Sequence, residues 1–168
     1  MSGQAYEPLG EPPVEPRWLD DGEQQAWRAF LTANRLLFER LERELQQCSG
    51  MPHAYYEILV RLSEAPDRKM RMSELAQRSL SSRSRLSHAM RRLEEEGWLR
   101  REGCDTDRRG AHAILTDAGF AALEAAAPKH VEGVRTHLFD QLTSEQVEQL
   151  HSISNAIVAH LDRSGRRL

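Results

Sequence analysis

The chain has 168 residues and a mass of 19.2 kDa, enough for one domain with a real hydrophobic core and too little for a second full-sized globular unit. Apolar residues of the AVILMFWYC set make up 39% and charged residues 29%, with both signs interspersed, which excludes wholesale disorder and fits an ordinary soluble protein. The formal charge of -3 and pI near 6.2 speak, as averages, against a polyanionic partner.

The first 17 residues carry four of the seven prolines, Pro8, Pro12, Pro13 and Pro16, among glycine and glutamate, and are expected to form a flexible extended tail. They have neither a basic start nor an apolar stretch, so they do not read as a secretory signal. No apolar run reaches membrane-spanning length, and a cytoplasmic protein without a membrane partner is expected. From about Leu19 the pattern changes. Trp27, Phe30, Leu31, Asn34, Phe38, Leu41 and Leu45 recur at three- and four-residue steps, which predicts an amphipathic helix over about 19–47, closed by Ser49 and Gly50. A second helix is expected from Pro52, burying Tyr55, Ile58, Leu59 and Leu62 and ending in the turn Ala65-Pro66-Asp67.

A short helix over 73–79 follows, with Leu75 and Ala76 inward. Ser82 is placed to cap the next, whose apolar stripe Leu86, Ala89, Met90 and Leu93 runs until Gly97. Two helices this short and this close predict a helix-turn-helix. Residues 98–102 and 111–115 read as two short strands around a polar hinge at 103–110, which makes a β-hairpin wing. Thr116 caps a long Ala-rich helix, with a kink expected at Pro128 and a continuation to about Phe139. Thr143 and Gln146 stand at capping-box spacing before a last helix with the stripe Val147, Leu150, Ile153, Ile157, Val158 and Leu161. The predicted class is mainly α with a small β-hairpin wing. A single domain spans 18–163, with a winged helix-turn-helix at about 52–115 and helices at about 19–47 and 116–162.

Charge is unevenly distributed along this order. Residues 68–112 hold twelve basic and seven acidic side chains, a net +5, so the remainder carries −8. With Leu86, Ala89, Met90 and Leu93 inward, a step of ~100° per residue puts Ser84, His88 and Arg91 on the opposite face, flanked by Arg85, Ser87 and Arg92. Every outward position can make a hydrogen bond. An α-helix fits the major groove, where Arg suits the acceptors of guanine and Ser can donate or accept. Arg83, Ser84, Arg85, Ser87 and His88 are therefore the candidate groove contacts. Arg91 and Arg92 are candidate phosphate contacts, and the helix N-terminus at Ser82 offers free N–H groups to a phosphate. At the hairpin tip, Arg108 and Arg109 suit a narrow minor groove, and Asp107 can hold Arg109 straight. The partner expected is double-stranded DNA; a winged helix whose basic face binds an acidic protein is the alternative.

The stretch over about 72–119 resembles the MarR family of bacterial regulators. The most specific part is Asp107-Arg108-Arg109-Gly110, followed by a strand and by Leu115, Thr116, Asp117 and Gly119. The turn between the two short helices commonly has a glycine in that family, where this chain has Leu80. The resemblance implies that 82–96 is the recognition helix, that Arg109 enters the minor groove with Asp107 as its partner, and that an obligate two-fold dimer is held by the first helix and the last two. It further implies a repressor, released when a small aromatic or lipophilic acid binds between the dimerisation helices and the winged domain. Here that crevice would take its lining from Trp27, Phe30, His53, Tyr55 and Tyr56. A two-fold dimer demands a pseudo-palindromic site with half-sites about one helical turn, roughly 10 bp, apart.

A thiol switch is the rival trigger. Cys104 lies in sequence among Arg100, Arg101, Arg108 and Arg109, which could favour its thiolate, and oxidation there would disturb the wing. His130 and His137 share a helix face at seven residues' spacing, but there is no His-Glu-x-x-His or Cys-x-x-Cys pattern, and no metal or cofactor is expected. Without a glycine-rich phosphate loop or a Gly-x-Ser-x-Gly elbow, no enzyme is expected either.

Overall fold

A computed structural model describes residues 16–78, 83–104 and 107–165, with side chains at all of these except 78, 83–85, 104, 107–110 and 163–165. Its contacts divide the chain into two units between Arg35 and Leu36, within the first helix.

Helix α1 (Asp21–Ser49) opens on a reciprocal cap. The Asp20 carboxylate accepts from the Glu23 N–H at 2.8 Å, and the Glu23 carboxylate accepts from the Asp20 N–H at 3.0 Å. The helix closes where Gly50 takes a φ of +67°, a conformation glycine adopts without cost. Helix α2 (His53–Ser63) starts with Pro52 in the N-cap position, where no side chain caps it locally. Glu42 of α1 substitutes, its carboxylate accepting from the His53 N–H at 2.9 Å. On α2 the buried tyrosine is Tyr56, while the expected Tyr55 lies only partly buried at the edge of the core. The difference arises because Tyr56 packs on His130 of a later helix, at 4.3 Å between ring centroids, a contact the local periodicity does not encode.

A single 3-10 turn at Pro66–Arg68 then redirects the chain, with Asp67 and Arg68 both at positive φ (54° and 53°). Left-handed backbone costs a non-glycine residue roughly 1–2 kcal/mol. Two tertiary contacts offset this at Arg68: its guanidinium lies 3.8 Å over the Phe120 ring and 3.1 Å from Asp117. The turn delivers β1 (Lys69–Arg71), a strand absent from the sequence reading because three residues show no alternation. Helices α3 (Met72–Arg78) and α4 (Arg83–Glu95) follow, then β2 (Leu99–Cys104) and β3 (Asp107–Leu115).

The antiparallel sheet has the order β1-β3-β2. Both wing strands exceed expectation: Gly103, Cys104 and 107–110, read as hinge, are strand, with a register shift between Gly103 and Cys104 and Cys104 paired with Asp107. Backbone pairing needs no apolar side chains, so this polar ribbon extends beyond its hydrophobic alternation. Helix α5 (Asp117–His137) runs as one helix through Pro128 and stops short of Phe139, which begins a 3-10 turn at Phe139–Gln141. Helix α6 (Ser144–Gly165) opens with the expected box. The Thr143 N–H donates to the Gln146 side-chain Oε1 at 2.9 Å, and the Gln146 N–H to the Thr143 hydroxyl at 3.2 Å.

The second unit has one core. Leu59 and Leu62 of α2, Leu75 of α3, Met90 and Leu93 of α4, Ala113 of β3 and Leu123 of α5 meet in it. Burying each of its large side chains contributes about 1.5–3 kcal/mol, and together they hold α4 against the sheet with its other face to solvent.

Candidate nucleic-acid interface

Helix α4 is oriented by its apolar stripe. Leu86, Ala89, Met90 and Leu93 are all buried, so Ser87, His88, Arg91 and Arg92 are exposed, as the helical period requires. Arg83, Ser84 and Arg85 form its first turn. Ser82, the expected cap, lies outside the described residues.

The acidic run after the stripe orients the arginines. Glu95 accepts from Arg92 at 2.9 Å and stands 3.8 Å from Arg91, while Glu94 pairs with Arg101 of β2 at 3.0 Å. These exposed pairs add little stability, but they limit the rotamers of groups that would face a phosphate. On the wing, Asp107, Arg108 and Arg109 open β3, and Cys104 ends β2 directly opposite Asp107. Arg108 and Arg109 fall between the paired positions Asp107 and Ala111, where the register shifts. The structure adds basic groups whose place the sequence reading left open. In strand register Arg71, His112 and Glu102 form one row and, two positions along, Lys69, Ile114 and Arg100 form another, so β1 brings its two cations beside the base of the wing. Glu102 accepts from Arg100 and from Lys69, and these bonds, Arg100's foremost, hold its carboxyl below the usual carboxylate range. Only the tertiary pairing of β1 could have revealed this cluster.

The candidate effector residues separate into groups. His53 and Tyr56 come together with Phe38 and with His130, which the sequence reading had set aside: ring centroids lie 5.7 Å apart for Phe38 and His53 and 5.4 Å for His53 and His130. Tyr55 packs against the core. In the first unit Trp27 stacks on Phe30 at 6.2 Å, and Trp27 also lines a shallow depression with Trp18, Leu19, Gln24 and Arg28.

Two consecutive helices, α3 and α4, a two-stranded wing and a third short strand at its base define a winged-helix protein. The MarR family's sequence pattern matches residues 49–110. The fold superposes with a TM-score of 0.83 on Sco3205, a MarR family transcriptional regulator from Streptomyces coelicolor solved in complex with DNA, at 50% identity over 88% of this chain and 92% of that one. AbsC, a MarR family transcriptional regulator from the same organism, is 46% identical, with a TM-score of 0.80, over 88% of this chain and 99% of its own. The HTH-type transcriptional regulator PecS of Dickeya dadantii is 32% identical over 89 residues, so the match spans about half, 53%, of each chain. The transcriptional repressor MprA of Escherichia coli is 27% identical over 71% of this chain and 68% of its own. The chain belongs to the MarR family of transcriptional regulators. These relatives are regulators and not enzymes, and no helix among the described residues is long and apolar enough to cross a membrane.

Proposed function

We propose that this protein is a sequence-specific DNA-binding repressor that docks on a pseudo-palindromic operator as a homodimer and is released by a small aromatic or lipophilic effector. The observation that carries the reading is the outward face of α4, where Ser87, His88, Arg91 and Arg92 are exposed on a helix whose opposite face is fully buried. Such a helix can enter the major groove without rearrangement of the core. The DNA complex of Sco3205 and the repressor MprA support the same reading.

The homodimer is supported by apolar side chains with much of their surface exposed: Phe30 and Leu31 on α1, and Ile153, Ile157, Val158 and Leu161 on α6, the last at 61% exposure. Soluble chains rarely leave apolar groups like these in water, and a second copy would cover each of them. The effector reading rests on the His53 ring lying against both Phe38 of α1 and Tyr56 of α2.

Fluorescence anisotropy with a labelled fragment of the DNA upstream of the gene tests the proposal. Binding is expected at low salt and to weaken steeply as salt rises. Arg109→Ala and Arg85→Ala are expected to reduce it by a large factor with an unchanged melting temperature; binding indifferent to salt and to both substitutions would overturn the reading. A thermal-shift screen with aromatic acids tests the effector, and stabilisation should be lost in Tyr56→Ala.

A further inference from the structure

The imidazole row of α5 touches two different elements. His130 and His137, two turns apart on one face, contact α2 and α1 respectively. We propose that this row is a proton-sensitive pivot: protonation of His130 releases α5 from α2 while His137 keeps α5 bonded to α1, so that mild acid weakens DNA binding. This regulation rests on the DNA-binding reading above.

The chemistry of the two contacts differs. The His130 ring packs 4.3 Å from Tyr56 and 5.4 Å from His53, and its Nδ1 is buried without a hydrogen-bond partner. A neutral imidazole can leave one nitrogen without a proton, whereas the charged form has two N–H donors that both need acceptors. None of the rings packed against it is an anion. From α2 come a second imidazole and the Tyr56 phenol, whose pKa burial pushes still higher. From α1, Phe38 presents a ring to His53, and Glu42 already accepts from the His53 N–H. On α5 itself, neighbouring Lys129 is a cation paired with Glu132. His137 stands in the opposite setting. Its Nε2 lies 2.9 Å from a Glu44 carboxylate oxygen, and Glu44 is held below the usual carboxylate range by that bond first and by Arg40 second. Gly133 leaves the space for it, since a Cβ there would lie 2.8 Å from the other carboxylate oxygen of Glu44.

The direction of the effect follows. Burial, with His53 adding, lowers the His130 pKa from its ordinary value of 6.5, so the packed state favours the neutral ring. This contribution to the α2–α5 contact is complete above the ordinary value and is lost as pH falls through the lowered one. The His137 contact, by contrast, already has a carboxylate acceptor in Glu44. Acid therefore opens one contact and keeps the other. Because α2 shares its core with α4, loosening it from α5 changes how the recognition helix is held.

The test measures operator affinity of the full chain by anisotropy at about pH 7.5 and about pH 5.5 at constant ionic strength. Wild type should lose affinity at least about fivefold at the lower pH. His130→Phe, which keeps a ring against Tyr56 but cannot titrate, should hold its affinity. His130→Gln serves if the Phe variant misfolds. An equal loss in wild type and variant, or no loss in wild type, overturns the pivot. Hydrogen exchange without DNA separates this proposal from the functional reading. Faster exchange over 53–62 and 123–130 at the lower pH, in wild type only, upholds the pivot even if no DNA binds at either pH. Unchanged exchange overturns it.

Discussion

Gly119 has no room for a single methyl group. A Cβ there would collide with the Trp98 carbonyl oxygen and come within 2.8 Å of a Leu115 methyl. The backbone at Trp98 cannot retreat, because its carbonyl also accepts from the Thr116 N–H at 3.1 Å. Gly119→Ala is expected to destabilise the fold by about 1–3 kcal/mol, measured by urea denaturation. Thr116 works at the same joint: its hydroxyl donates to the Gly97 carbonyl at 2.7 Å and accepts from the Gly119 N–H at 3.0 Å. Thr116→Ala should cost about 1 kcal/mol, and Thr116→Ser should recover most of it. The run Leu115, Thr116, Asp117 and Gly119 was visible in the sequence as a motif. Its physical meaning is a joint, in which Leu115 enters the core, Thr116 caps α5, Asp117 pairs with Arg68 and Gly119 lets the helix approach Trp98.

At the scale of elements, the long helices and the caps of α5 and α6 were legible because their signals are local. Periodicity places Leu86, Ala89, Met90 and Leu93 inward on α4, and the Thr143–Gln146 box involves only neighbours in the chain. The outward face of α4 was legible for the same reason. Element β1 was not, because a three-residue strand is defined by its pairing with β3. The extended wing and the choice of Tyr56 over Tyr55 were hidden likewise, since each depends on a partner distant in the chain. Helix α6 makes an element-level prediction. Its exposed Ile153 and Ile157 lie on one face, and Ile157→Glu would place a charge in the proposed dimer interface. Light scattering should show wild type as a dimer and the variant shifted to monomer, with operator affinity falling in parallel; a variant that stays dimeric would contradict this assignment.

For the whole molecule, the mean charge of -3 conceals a basic segment of +5 over 68–112 and a remainder of −8. The fold gives this split a spatial form: α4, the wing and β1 belong to the basic segment, while the α1 and α6 stripes proposed to meet in a dimer lie outside it. Operator affinity is therefore expected to fall linearly with salt on logarithmic axes. Replacing Arg92 by Ala should reduce that slope by about one and weaken all sequences alike, which separates a phosphate contact from base readout. A slope unchanged in that variant would remove Arg92 from the interface.

The sequence by itself determined the order of the helices, the caps of α5 and α6, the inward stripe of α4 and the location of the basic charge. All of these follow from periodicity, composition or contacts within a few residues. Only the tertiary structure decided that β1 completes the sheet, that Arg68 is held over Phe120 in a left-handed turn, and that His130 meets His53 and Tyr56. Those pairings join segments far apart in the chain, and no local propensity distinguishes them until the core brings them together.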